Sequence, residues 1–85
     1  MNNELEILKK KLIYRASYRG TKEMDMLLSN FVNKYIDNLD NNYLKELEIF
    51  LNYEDEIILN FYRNNINQSG IEKNKVSKLF KEFKV

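Results

Sequence analysis

The residues with the most distinctive chemistry lie in the segment 14-YRASYRGTKEMDMLL-28. Arg19 carries a planar fork of hydrogen-bond donors and Glu23 carries a carboxylate, and both groups suit the recognition of polar groups on another protein. Gly20, next to the arginine, has no side chain to keep the backbone of a partner at a distance. One interpretation of the segment is therefore a contact site.

The same segment also has a purely structural interpretation. A glycine inside a helix costs about 1 kcal/mol relative to alanine, so the chain is expected to break at 18–21. Gly20 would take a positive φ at this corner, and Thr21 would cap the helix that follows. Arg19 and Glu23 would then form an incidental surface ion pair worth about 0–1 kcal/mol. From the residues alone, the helix corner is the simpler of the two interpretations.

The composition argues against catalysis by this chain. It contains no Cys and no His, which removes thiolate nucleophiles, the commonest zinc ligands and the usual general base at neutral pH. No carboxylate dyad, nucleophile–base pair or phosphate-binding loop follows from the spacing. The acidic group Glu54-Asp55-Glu56 lacks the glycine-turned loop of a calcium site and fits the first turn of a helix. We therefore predict no catalytic and no metal-binding residues.

The balance of charge does not favour a nucleic-acid partner. Fourteen basic and thirteen acidic side chains give a net charge of +1, whereas a small nucleic-acid binder usually has a basic excess or a basic face. The run Lys9-Lys10-Lys11 is offset by Glu4 and Glu6 and indicates the solvated face of a helix. We expect no nucleic-acid binding and a monomer when the protein is free.

The composition and the first residues also bear on where the protein is located. No apolar run approaches the ~20 residues that span a bilayer, so we expect no insertion into a membrane. The first residues, MNNELEILKK, have neither the apolar stretch of a secretory signal nor the Arg- and Ser-rich composition of a transit peptide. The resulting expectation is a soluble, cytoplasmic, bacterial protein.

The elements that position these residues are predicted to be helices. Apolar residues recur at helical spacing along a chain of 85 residues with no proline and two glycines, which predicts one all-α domain over 1–85, a compact bundle of about five short helices. The predicted helices are 4–17, 22–36, a third that begins at Asp40 or Asn41, about 54–65, and a fifth opened by a capping box at Ser69-Gly70-Ile71-Glu72. The residues predicted to face the core are Leu5, Leu8, Leu12, Ala16, Met24, Leu27, Leu28, Phe31, Val32, Tyr35, Tyr43, Leu44, Leu47, Phe50, Leu51, Ile58, Phe61, Tyr62, Val76, Leu79, Phe80 and Phe83.

Three tyrosines do not fit the predicted core. Tyr14 and Tyr18 lie four residues apart, which places them on one side of the first helix, next to the Arg-Gly corner. Tyr53 is the third. Exposed tyrosines are enriched at protein interfaces, so this pair favours a contact role for the corner.

The segment 18-YRGTKEMD-25 resembles the RGxxE signature of the SdhE-type FAD assembly factors of succinate dehydrogenase. The resemblance continues through 25-DMLLSNF-31 and 51-LNYEDEIILNFY-62, where Asp55, Ile58 and Phe61 match the family's Leu-x-x-x-Asp-x-x-Leu-x-x-Trp region. It covers about residues 11–62, with a looser match through the fifth helix. The family commonly has arginine in place of Tyr18, methionine in place of Thr21 and tryptophan in place of Phe61.

The resemblance implies an assembly factor, not an enzyme, that binds the flavoprotein subunit of succinate dehydrogenase or of fumarate reductase. It implies that the protein promotes covalent attachment of FAD to a histidine of that partner and binds no cofactor stably itself. Arg19, Gly20 and Glu23 would form the contact loop. Tyr18 would lie beside this loop, and Asp55 would belong to the same surface region.

Two other classes of function remain open at this point. One is a generic helical adaptor without a flavoprotein client, in which the Arg-Gly corner is only a turn. The other is an antitoxin-like, nucleic-acid-associated regulator, which requires a basic surface. An enzyme that handles flavin directly is a weaker option, because nothing in the sequence resembles a dinucleotide-binding fold.

Overall fold

The computed structural model describes residues 3–83, with side chains from Glu4 onward, and all of its regular elements are helical. The five α-helices are α1 (Asn3–Ser17), α2 (Lys22–Tyr35), α3 (Asn41–Leu51), α4 (Asp55–Asn64) and α5 (Lys75–Glu82). Short 3₁₀ turns lie at Ile36–Asn38 and Ile71–Lys73. Residues 3–83 contain no β-strand. The predicted all-α bundle of five helices is therefore confirmed.

Local hydrogen bonds explain where the second and third helices begin. Thr21 is the N-cap of α2, and its Oγ1 accepts from the backbone N–H of Met24 at 3.3 Å. Asp40 is the N-cap of α3, and its Oδ1 accepts from the N–H of Tyr43 at 2.9 Å. These bonds satisfy backbone donors that have no partner inside the helix. The predicted cap at Thr21 is confirmed, and of the two candidates for α3 the structure uses Asp40.

The predicted capping box at Ser69-Gly70-Ile71-Glu72 is wrong. Ser69 and Gly70 have φ values of 55° and 76°, which are left-handed and do not start a helix. The second 3₁₀ turn follows, and α5 begins only after Asn74, whose Oδ1 accepts from two backbone N–H groups at 2.8 and 3.2 Å. The side-chain amide of Asn74 is buried and donates to the carbonyl oxygen of Glu46 in α3 at 2.9 Å. A tertiary contact therefore selects the start of this helix.

The buried side chains form one hydrophobic cluster to which every helix contributes. Phe31 of α2 lies near its centre, with its ring centroid 5.0 Å from that of Phe80 and 5.4 Å from that of Phe83. Most of the predicted core positions are buried. Six of them lie at the border of the cluster and are only partly buried: Leu5, Leu8, Tyr35, Tyr43, Tyr62 and Leu79.

Among the described residues, no helix combines the length and the apolar character needed to cross a membrane.

Candidate functional site

The connection between α1 and α2 is an open corner at Gly20. This glycine has a φ of +116°, which L-residues rarely adopt, so the predicted positive φ is confirmed. A Cβ built at this position would have no atom within 4 Å. The glycine is therefore required by the backbone conformation, not by crowding. The space above it is open to a partner.

Arg19 points into the protein. Its side chain is 11% exposed, and its Nε donates to Oδ1 of Asp55 at 2.8 Å. Its two terminal nitrogens donate to the carbonyl oxygens of Leu51 and Tyr53, each at 2.6 Å. The contact-loop interpretation expected the guanidinium to present its donors to a partner. In this structure the guanidinium instead donates to groups within the protein. We refer to Arg19, Asp55 and these two carbonyl groups as the Arg19 clamp.

The Arg19 clamp joins two corners of the bundle that are far apart in the sequence. Leu51 is the last residue of α3, where carbonyl groups have no partner within the helix, and Tyr53 lies in the connection to α4; the arginine satisfies the carbonyl groups of both. Asp55 is the first residue of α4, where a carboxylate also faces the positive end of the helix. The backbone N–H of Arg19 additionally donates to the carboxylate of Asp25 in α2. The clamp therefore fixes the position of the Gly20 corner relative to the α3–α4 connection.

Glu23 lies on the surface, where it pairs with Arg63. Its Oε2 accepts from Nη2 of Arg63, in the last turn of α4, at 2.7 Å, and both side chains are about half exposed. The ion pair expected between Arg19 and Glu23 is therefore wrong. The reason is geometric, because Arg19 reaches Asp55 inside the bundle while Glu23 faces the end of α4.

Glu23 and Arg63 also form part of the rim of a small pocket between α2 and α4. The pocket has a volume of about 290 Å³ and is lined mainly by apolar atoms. Its lining residues are Glu23, Met26, Leu27, Asn30, Tyr62 and Arg63.

Tyr14, in the last turn of α1, and Tyr18, the residue that follows its end, form an exposed aromatic pair at the corner. Tyr14 and Tyr18 are 64% and 69% exposed, and their ring centroids are 4.5 Å apart. The two rings are neighbours, as predicted, although the helix ends before Tyr18. Tyr53 differs, because it is only partly exposed and its hydroxyl donates to the carbonyl oxygen of Ser69 at 3.0 Å. It serves the fold at the α3–α4 connection.

The structure thus divides the predicted site residues into two groups. Arg19 and Asp55 contact each other beneath the corner, whereas Tyr18, Gly20 and Glu23 are exposed on it. Arg63, the partner of Glu23, was not predicted from the sequence, because 40 positions separate the two residues and no local pattern joins them. Within residues 3–83, no three or more acidic side chains are grouped as metal ligands would be.

The sequence was compared with known protein families and curated proteins. A family model described as "Flavinator of succinate dehydrogenase" matches residues 10–84. Succinate dehydrogenase assembly factor 2, mitochondrial, of Saccharomyces cerevisiae is 34% identical over 83 residues, which are 96% of this chain and 51% of that protein.

Two further relatives carry similar names. The mitochondrial succinate dehydrogenase assembly factor 2 of Dictyostelium discoideum is 36% identical over 59 residues, 69% of this chain and 42% of that protein. Assembly factor 2-B of Drosophila ananassae, also mitochondrial, is 46% identical over 39 residues, 46% of this chain and 24% of that protein. The chain thus spans about half or less of the length of these three relatives.

These names correct one prediction. All three relatives are mitochondrial proteins, so the prediction of a cytoplasmic location is wrong. Nor do the three source organisms support the expected bacterial origin. The expected location came from composition and from the first residues, which do not record the compartment in which a protein works.

Proposed function

The chain belongs to the family of succinate dehydrogenase flavinators, and we propose that it is an assembly factor that binds the flavoprotein subunit of the enzyme. In this proposal it promotes covalent attachment of FAD to that subunit, is not itself an enzyme and holds no cofactor stably. The encounter would take place in the mitochondrion, where the named relatives are found. The flavoprotein of fumarate reductase is a related possible client.

The observation that carries the proposal is the exposed surface at the first corner. Tyr14, Tyr18, Gly20 and Glu23 lie together at the junction of α1 and α2, and we call them the corner surface. Aromatic rings contribute large contact areas at low entropic cost, which is why tyrosine is common among the residues that dominate binding energy. The open glycine allows a partner's backbone to approach the corner closely.

Arg19 and Asp55 take a different part in this proposal. Because the Arg19 side chain is mostly buried and donates three hydrogen bonds within the protein, we assign it to positioning the Gly20 corner from inside. Asp55 holds the arginine and in this way supports the same corner. The corner would then be presented in one conformation, so that little ordering entropy is lost on binding.

An assembly factor of this kind needs no catalytic group of its own. The bond-forming chemistry belongs to the flavin and to the client. The factor need only bind the conformation of the client in which FAD attachment occurs better than it binds other conformations. A difference of about 5.5 kcal/mol in binding free energy would convert a 1:99 population into 99:1, and smaller differences still raise the productive fraction.

The test is co-expression with the succinate dehydrogenase flavoprotein subunit from the same genome. Covalent flavin is read as fluorescence of the denatured subunit band, with and without the factor. We expect the signal to rise with the wild-type chain and to fall with a Tyr14→Ser/Tyr18→Ser variant. The matched control, Ile49→Ser/Ile66→Ser, removes two exposed apolar side chains outside the corner surface and should retain the signal. Equal fluorescence with and without the factor, with both proteins soluble, would refute the proposal.

A further inference from the structure

The pocket between α2 and α4 has an apolar lining that the protein itself leaves open to solvent. Met26 is 55% exposed at its edge, although methionine is apolar, and Leu27 is buried beside it. The ring of Tyr62 also lines the pocket, while its hydroxyl is bound elsewhere, donating to the carbonyl oxygen of Phe83 at 2.7 Å. Methionine adapts its shape to different contacts and is common at binding surfaces. The lining therefore suits an apolar side chain.

The rim of the pocket carries hydrogen-bond donors that can act outward. A guanidinium has five N–H donors. Among the contacts within residues 3–83, Arg63 uses Nη2 to reach Glu23. Asn30, which is exposed, adds a side-chain amide to the same rim. Because the pair of Arg63 and Glu23 is half exposed, it contributes little to stability and can be rearranged at low cost.

Size and charge together indicate the occupant. A volume of about 290 Å³ is at the lower limit of the ~300–1,000 Å³ typical of small-molecule sites, so the pocket admits one large side chain and not a dinucleotide. The remaining donors of Arg63 match a carboxylate, which guanidinium groups bind in a two-pronged geometry. We infer that the pocket receives an apolar side chain of the flavoprotein client, and that an acidic residue near it pairs with Arg63.

This surface extends the corner surface without a gap, because Glu23 belongs to both. The inference therefore rests on the proposed function and identifies a second part of the proposed client interface. In this arrangement Glu23 orients the guanidinium of Arg63, and Met26 supplies apolar contact area. Arg63 is then a residue that determines which client segment binds.

The experiment measures the dissociation constant between the purified chain and the purified flavoprotein subunit by isothermal titration calorimetry. Met26→Asp should weaken binding by about tenfold or more, since it places a charge in an apolar contact. The matched control is Ile49→Asp, which alters a side chain of similar exposure (49%) on α3 and should change binding by less than about twofold. If thermal melting shows that Met26→Asp unfolds, Met26→Gln replaces it.

A neutral replacement of Arg63 separates its effect on binding from its effect on stability. Arg63→Glu should weaken binding by about tenfold or more, because it turns attraction to a carboxylate into repulsion. Arg63→Gln leaves Glu23 and the rest of the corner surface in place, and it should keep the melting temperature close to that of the wild type, because the ion pair is half exposed. It should still weaken binding severalfold, since the amide cannot replace the guanidinium opposite a carboxylate of the client. Wild-type affinity of both Arg63 variants, with both folded, would overturn the inference.

The remaining outcomes distinguish the inference from the proposed function. If the wild-type chain binds the flavoprotein and the Tyr14→Ser/Tyr18→Ser variant does not, the corner surface is supported. Wild-type affinity of the Met26 and Arg63 variants in that case overturns the pocket as a client site and leaves the proposed function standing. If the wild-type chain neither binds the flavoprotein nor raises its covalent flavin, both fail together.

Discussion

Replacing Arg19 with alanine should destabilise the protein far more than replacing a surface arginine. The side chain is 11% exposed and donates three hydrogen bonds, at 2.8, 2.6 and 2.6 Å. Hydrogen bonds to charged groups contribute about 1.5–3 kcal/mol each. Asp55 retains 28% exposure, so water can solvate part of what the arginine leaves behind. We therefore expect a loss of about 3 kcal/mol, at the low end of the ~3–5 kcal/mol found when one partner of a buried pair is removed.

This loss is large relative to the whole stability of the domain. A chain of this length is expected to have a free energy of unfolding of about 4–13 kcal/mol. The expected fall in melting temperature is about 12–24 °C, because 1 kcal/mol corresponds to about 4–8 °C in a domain of this size. The Arg19→Ala variant should therefore remain folded near room temperature over most of that range and be suitable for equilibrium measurements.

The assay is urea unfolding followed by far-UV circular dichroism, applied to Arg19→Ala, Asp55→Ala and the double variant. A double-mutant cycle should give a coupling energy of about 1–3 kcal/mol, because the two residues are in direct contact. The control is Arg63→Ala, an arginine in an exposed pair, which should cost about 1 kcal/mol or less. A cost for Arg19→Ala that equals this control, or strict additivity with Asp55→Ala, would refute the assignment of Arg19 to the clamp.

Three further predictions concern the corner surface and the helix caps. Gly20→Arg and Gly70→Arg should each lower the free energy of unfolding by about 1–2 kcal/mol in urea, since both glycines have positive φ. Covalent flavin in co-expression should fall with Gly20→Arg and not with Gly70→Arg. An equal fall with both variants would show that the effect comes from folding. Tyr18→Ser should change the free energy of unfolding by less than about 1 kcal/mol, because the ring is mostly exposed. It should nevertheless weaken flavoprotein binding in calorimetry. Unchanged binding would show that Tyr18 does not belong to the corner surface. Asn74→Ala should lower the free energy of unfolding by about 2 kcal/mol or more, and Thr21→Ala by about 1 kcal/mol. The difference is expected because Asn74 is buried and also donates to a carbonyl group of α3. Equal losses in urea unfolding would contradict this.

The features that depend on neighbouring residues could be predicted from the amino-acid sequence alone. The spacing of apolar residues predicted the helices, because each helix must turn one stripe toward the core. The cap at Thr21 was predictable, and that of α3 was narrowed to Asp40 or Asn41, because a cap bonds a backbone N–H only a few residues ahead. The positive φ of Gly20 followed from the cost of a glycine inside a helix, which predicted a break of the chain at 18–21. The RGxxE segment led to the family for the same reason, since its residues are consecutive.

Which charged groups contact each other depends on the packing of the helices. The side chain of Arg19 donates a hydrogen bond to Asp55, 36 positions away in the sequence, and that of Arg63 donates to Glu23, 40 positions away. Spacing along the chain says nothing about such pairs, because they depend on how whole helices pack. The start of α5 was misjudged for the same reason: Asn74 is held by a carbonyl group of α3, and this contact overrides the local capping box at 69–72. Packing, not local preference, therefore turned Arg19 from an expected surface contact into the internal support of the corner.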